Sequence, residues 1–492
     1  MRGICLYIII IFAVLVSSCT PTPKDVTTVA SQPEIYPDYT DVTIPAEIAP
    51  MNFGMVDDAV EAVDVVVKGS KGGEIHNTHG LFSHDEVAQF DIDEWHSLTE
   101  QNKGGTLSFT VTALKDGKWT EYKPFAMTVS TYPLDEYGIV YRRIAPGFET
   151  FSNIGMYQRD LSSFKEETLF DVKDVDGQCM NCHYANRGDA NQFLVHVRGK
   201  HGATMVRSGG HDAYLNTKTE NTFGSCAYGY WHPDGRYCVF SLNIPLQNFY
   251  ENEHKIIEPW DGQSDIVVLD METNQLIRTP LLEGNDFQTT PTFSPDGKTI
   301  YFSASPACEM PSEYNKVKYS LCSITFDAAA GTFGEKVDTI ISGGQLDKSI
   351  SIARPSYDGK YLMYCQMDHG TTPLYHKDSD LWLLDLATGE TRPMDEVNSN
   401  GPDAYHNWNI NSHWFVFGSK REDGFNSLPY FSCMNDDGKA TKPFLLPQEN
   451  PKKYYLENIH SFNAPDFTRE RIDLDRREFG RKIMSDERIQ VK

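Results

Sequence analysis

Trp231-His232-Pro233-Asp234-Gly235-Arg236-Tyr237, Phe293-Ser294-Pro295-Asp296-Gly297-Lys298-Thr299 and Pro355-Ser356-Tyr357-Asp358-Gly359-Lys360-Tyr361 are three versions of one stretch. Their aspartates stand 62 residues apart in both intervals. Asp-Gly supplies a tight turn, because glycine enters the left-handed region without a Cβ clash. An apolar strand follows each copy: Cys238-Val239-Phe240, Ile300-Tyr301-Phe302 and Leu362-Met363-Tyr364. Trp408-Asn409-Ile410-Asn411-Ser412-His413-Trp414, leading into Phe415-Val416-Phe417, is a degenerate fourth copy. Self-similarity at a fixed period signals a repeat architecture and outranks local propensity.

Each unit carries a second mark, an apolar run ending in a turn aspartate: Asp265 to Asp270, Leu321 to Asp327, Asp380 to Asp385. Four strands per unit of roughly 60 residues is the arithmetic of a β-propeller blade. Full units fall near 225–284, 287–345, 348–400 and 402–450, with an earlier one near 177–223. Gly155 to Leu161 followed by Glu167 to Phe170 reads as the outer half of a blade, and Ser461 to Phe467 as an inner start lacking its outer half. Joining them completes a sixth blade and closes the ring. The repeats resemble the TolB-type, WD40-like propeller repeat over roughly residues 150–467, a resemblance that implies fold and little about function.

The chain upstream divides in three. Residues 1–18 read as a signal peptide, with Arg2 before the apolar run Ile4 to Val16, too short to span a bilayer comfortably. Val16-Ser17-Ser18-Cys19 is similar to a bacterial lipobox, which implies acylation of Cys19 and membrane attachment through lipid; simple cleavage beside an incidental cysteine is the alternative. Residues 19–33, rich in Thr, Pro, Ser and Val, read as a flexible tether. Residues 34–146 alternate in short runs, including Val63 to Val67, Thr106 to Val111 and Phe125 to Val129, with a hairpin turn at Lys115-Asp116-Gly117-Lys118. They predict a small antiparallel β-sandwich with His76, His79, His84 and His96 in its loops. The fold class is therefore all-β, a sandwich-like domain before a propeller at 147–467 and a charged tail at 468–492.

Cys179-Met180-Asn181-Cys182-His183 carries the chemistry. Two cysteines two residues apart with histidine next is the spacing of c-type haem attachment: Cys179 and Cys182 as thioether anchors, His183 as proximal iron ligand. A pair of ordinary core cysteines, a disulfide turn and a zinc half-site are the other readings. Alignment of the repeats sets Phe193-Leu194-Val195 beside Tyr237-Cys238-Val239. The motif then falls just before or at the innermost strand of its blade, in place of the usual turn, on the propeller channel. Met205, His201, His196 and His211 are the nearby candidates for a distal ligand. The remaining cysteines, Cys226, Cys238, Cys308, Cys322, Cys365 and Cys433, show no framework spacing.

With Tyr141 to Phe148, Met156 to Leu161 and Arg198-Gly199-Lys200, the motif resembles a group of Bacteroidetes lipoproteins described as TolB-like or "cytochrome c biosynthesis" propeller proteins. That resemblance implies the fold and an outer-membrane lipoprotein, facing the periplasm or the exterior. A formal net charge of −25 excludes the basic footprint needed for nucleic acid. No Gly-x-Ser-x-Gly elbow occurs, and the tail after Phe467 is too short for a hydrolase domain. No catalytic residue is assigned. Two functions remain: a lipid-anchored propeller carrying one haem c for electron transfer or small-ligand binding with a redox or envelope partner, or a haem-free scaffold that binds a protein or glycan through its channel face.

Overall fold

The computed structural model describes residues 22–78, 86–145, 153–252 and 255–492. Cys19 and the leader, His79, His84 and Gly147-Phe148 lie outside them. The chain is nearly all β and propeller-like.

Six sheets follow one another along the chain. The second is Met180–Asn186, Asp189–Val197, Ala203–Ser208 and His211–Asn216; the third Ser225–Trp231, Tyr237–Asn252, Lys255–Asp270 and Gln275–Ile277. The fourth is Phe287–Phe293, Thr299–Ser305, Ser320–Asp327 and Thr332–Ile341; the fifth Ser349–Pro355, Tyr361–Met367, Asp380–Asp385 and Thr391–Pro393. The sixth is Asp403–Trp408, Trp414–Ser419, Leu428–Cys433 and Phe444–Leu445. The first sheet is composite: Glu166–Asp171, Ile154–Asp160 and Gly138–Ile144, with Ser461–Thr468 antiparallel to Gly138–Ile144 at its edge. The edge strands beginning at 180, 225, 287, 349, 403 and 461 are neighbours in that order, and the last lies again beside the first.

The repeated turns are built alike. The amide of Gly235 donates to the His232 carbonyl, as Gly297 does to Ser294 and Gly359 to Ser356. These glycines have φ of 79°, 74° and 74°. In the fourth copy Ser412 takes that place at φ 66°, its amide donating to the Asn409 carbonyl. The second mark is equally regular. Asp270, Asp327 and Asp385 each accept two amides from the turn that follows. Aspartate does this because its short carboxylate reaches backbone two residues on. Between sheets, the Trp231 indole donates to the Tyr184 carbonyl at 3.3 Å and the Trp408 indole to that of Arg354 at 3.1 Å.

The N-terminal region differs from a plain antiparallel sandwich. Its seven-stranded sheet contains two parallel pairs, Thr27–Thr28 beside Thr120–Glu121 and Thr43–Ile44 beside Thr128–Val129. The segment expected to be a free tether thus supplies an edge strand, because the Lys118–Glu121 edge offers it unpaired backbone. A helix, Ile92–Gln101, covers the region; Asp91 caps it by accepting from the amides of Asp93 and Glu94. Trp95, Leu98 and Thr99 are its buried face, a helical spacing embedded in a strand-like neighbourhood. Gly138–Ile144, placed before the expected boundary at 146, pairs into the first propeller sheet. One apolar core runs from Ile35 through Trp95 to Trp414, Phe431 and Phe467, so this region packs directly on the sixth sheet. The tail forms a helix, Arg476–Met484, and Ile489–Gln490 adds in parallel to Leu215–Asn216.

Gly359 and Gly297 separate backbone strain from crowding. A methyl added at Gly359 meets nothing within 4 Å, whereas one at Gly297 would overlap the His232 imidazole. Gly359→Ala should lower stability by about 1–2 kcal/mol through the left-handed backbone alone. Gly297→Ala should cost more. Urea unfolding of the two variants checks the order.

Candidate functional site

The edge strands of the six sheets share a distortion that brings side chains to one cavity. In each, the register against its neighbour slips by an extra residue or more: around Cys182, Tyr228, Thr290, Ile352, Tyr405 and Ala464. All six residues have positive φ, between 49° and 51°. A non-glycine residue there costs about 1–2 kcal/mol, and for β-branched Thr290 and Ile352 the conformation is a true outlier. Bulges increase twist and re-aim a strand's residues. All six line one cavity of about 540 Å³. That volume is in the range of small-molecule sites.

The bulge at Cys182 has a local consequence. In a regular strand, residues three apart face opposite sides. The extra residue between the Asn181–His196 and His183–Val195 pairs changes the parity, so Cys179, Cys182 and His183 all line the cavity. The motif sits within the innermost strand; the turn of this sheet is Arg187-Gly188, with φ of 52° and 77°, so the motif does not replace it.

Both thiols are half-buried, and none of the eight described cysteines forms a disulfide, so the motif is not a disulfide turn in this structure. Arg198 lies against Cys182, Tyr228 and Cys179. Burial, with Cys182 beside it, pushes the Tyr228 phenol up. Arg142 and Arg354 also line the cavity, together with Tyr375, Tyr405 and His406. No aspartate or glutamate is among the described lining residues. Asp466, behind the wall, accepts the Ala185 amide at 3.1 Å, and burial raises its carboxyl to about 7.

Haem c asks for two accessible thiols and one imidazole nitrogen free for iron. Cys179 and Cys182 meet the first requirement. His183 does not meet the second: its Nε2–H donates to the Val140 carbonyl at 3.3 Å, and the ring also meets the backbone of Ala464. The imidazole is a strap between strands, only 7% exposed. None of the four distal candidates lines the cavity. Met205 is core, His196 pairs with Thr204 Oγ1 at 3.0 Å, His201 binds Asp486 in the tail at 2.8 Å, and His211 is exposed at a hairpin end. Arg354, Tyr228, Tyr375 and Tyr405 are site residues that the sequence reading did not single out, because nothing local marks their convergence.

No protein-family model and no curated protein matches the chain. Among solved structures, TolB from Acinetobacter baumannii is similar at TM-score 0.44 and 13% identity, over 77% of this chain and 86% of that one. Oligogalacturonate lyase from Vibrio parahaemolyticus is similar at TM-score 0.36 and 15% identity, over 59% and 71%. Prolyl oligopeptidase B from Galerina marginata is similar at TM-score 0.37 and 13% identity, over 78% and 53%. Among the described residues, no helix is long and apolar enough to cross a membrane.

Three buried histidines make the wall acid-sensitive. Burial pushes His183 down to about 4 and His196 and His406 to about 3. The unfolded chain takes up these protons first, near pH 6.5, so stability falls as pH drops from 6.5 towards 4. Asp466 works with the opposite sign, its contribution being lost as pH rises from about 4 to 7. His406 donates to the Met363 carbonyl at 2.8 Å, a bond glutamine can keep. His406→Gln should therefore flatten the slope of unfolding free energy below pH 6.5 by up to about 1.4 kcal/mol per pH unit relative to wild type. Denaturant titrations from pH 7 to 4.5 measure this.

Proposed function

We propose that the six sheets are blades of a ring closed by Ser461–Thr468, and that its axial cavity binds a small anionic ligand with an apolar body. One observation carries the ligand reading. Arg142, Arg198 and Arg354 line the cavity, and no aspartate or glutamate is among its described lining residues, in a chain of formal net charge −25. Cations collected against the charge of the whole molecule favour an anion, since a guanidinium offers paired donors to carboxylate or phosphate. Tyr228, Tyr375, Tyr405 and Ile352 supply the apolar and aromatic surface. The ring reading is supported by the cyclic order of the edge strands and by the pairing of Gly138–Ile144 with Ser461–Thr468.

The probe is 1-anilinonaphthalene-8-sulfonate, with neutral N-phenylnaphthylamine as comparator. Arg198→Gln with Arg354→Gln should weaken the sulfonate at least about a hundredfold, the loss expected for two charge-assisted contacts, and leave the neutral dye unchanged. Equal effects on both dyes would sink the anion reading.

A second reading, haem c attached through Cys179 and Cys182, is favoured by the shared cavity of the motif residues; the placement of His183 stands against it. Bound haem would supply one-electron transfer. Protein from a host with c-type cytochrome maturation should then keep a Soret band after denaturation, and lose it in Cys179→Ser/Cys182→Ser. Folded protein without that band removes this reading. Attachment to the bacterial envelope through acylated Cys19, towards a redox or other envelope partner, belongs to the same proposal. Cys19→Ala should abolish labelling by palmitate.

A further inference from the structure

Glu258, His369 and His376 come together from two segments of the chain, a strand of the third sheet and one loop of the fifth. Glu258 lies in the long strand Lys255–Asp270, His369 follows Tyr361–Met367, and His376 closes the short turn Pro373–Tyr375. Glu258 Oε1 is 3.5 Å from His369 Nε2 and 3.9 Å from His376 Nε2. One donor atom from each residue lies within 4.8 Å of the others. The side chains of Glu258 and His376 are each only 3% exposed, and that of His369 is 22% exposed. The two imidazoles stand edge to face at 4.7 Å between centroids. Tyr314 completes the cluster, its hydroxyl 3.3 Å from His376 Nε2.

We infer that these three side chains form a site for a divalent transition-metal cation of the zinc class. Four-coordinate zinc holds imidazole nitrogen and carboxylate oxygen at about 2.0–2.2 Å, which sets neighbouring donors about 3.3–3.5 Å apart. The distances of 3.5 and 3.9 Å are within a small contraction of that spacing. Two imidazoles beside one carboxylate select a borderline-soft cation over magnesium or calcium, which take oxygen ligands. The backbone is shaped for the convergence. Gly370 has φ 74°, and a methyl there would overlap the Tyr314 hydroxyl and come within 3.3 Å of His376 Nε2.

The site is next to the axial cavity and separate from it. Pro259, adjacent to Glu258, and Thr372 and Tyr375, before His376, line that cavity. A cation here ties the third-sheet hairpin to the fifth-sheet loop across one side of its mouth.

Because Cys179, Cys182 and His183 could also take zinc, the test uses full-length Cys179→Ser/Cys182→Ser protein, stripped with chelator and checked for fold by circular dichroism. Titration with zinc chloride by calorimetry should give one site per chain. Adding His369→Gln should weaken it at least about a hundredfold while the fold is kept; Glu258→Gln should do the same. Should Glu258→Gln misfold, the half-buried His369 still decides. Folded double-serine protein that binds no zinc, or unchanged affinity in His369→Gln, overturns the site.

Discussion

Hydrogen bonding between Gly138–Ile144 and Ser461–Thr468 joins segments more than three hundred residues apart in the chain, and it completes the first sheet on which the neighbouring edge strands pack. An edge strand exposes a row of unpaired amides and carbonyls. Here that edge is filled by the end of the same chain. Closing a loop of this length costs little more entropy than closing a shorter one, because the cost grows only with the logarithm of length. The pairing also brings Ala464 and Arg142 to the cavity and sets Val140 against His183.

The cavity wall shows how a strained backbone is shared among strands. Six left-handed residues at φ near 50° recur once in each edge strand, and each lines the cavity. Strain of that kind persists where surrounding structure over-determines it. The surrounding structure here includes interlocked contacts such as the Trp231 and Trp408 indoles on neighbouring carbonyls, and the Asp466 carboxyl on the Ala185 amide. Buried neutral histidines and cavity-lining arginines then sit in one wall.

The haem motif is a case where spacing and environment disagree. Two cysteines and a histidine at the required interval do face one cavity, yet the histidine ring is engaged by backbone on either side. Spacing reports which residues are near in sequence. It does not report which nitrogen is already bonded, and that depends on strands more than forty residues upstream and at the C-terminus.

Local rules made the repeats readable. Asp-Gly turns, aspartates that hold their own backbone, and apolar runs of strand length are each fixed by chemistry within a few residues, so Asp234, Asp296 and Asp358 marked their turns, and even Ser412 stood where glycine would. The composite first sheet was also suggested by its two incomplete ends. The helix Ile92–Gln101 and the edge strand at Thr27–Thr28 were not readable, because their stability comes from a face covered by distant residues. The six cavity residues share no type: cysteine, two tyrosines, threonine, isoleucine and alanine. Their left-handed geometry recurs at the bulge of each edge strand, and Glu258, His369 and His376 meet only where the third sheet packs against the loop of the fifth. The sequence by itself determined the turns and the strands they join; the tertiary structure decided which residues face the cavity, because that choice is made by register across sheets.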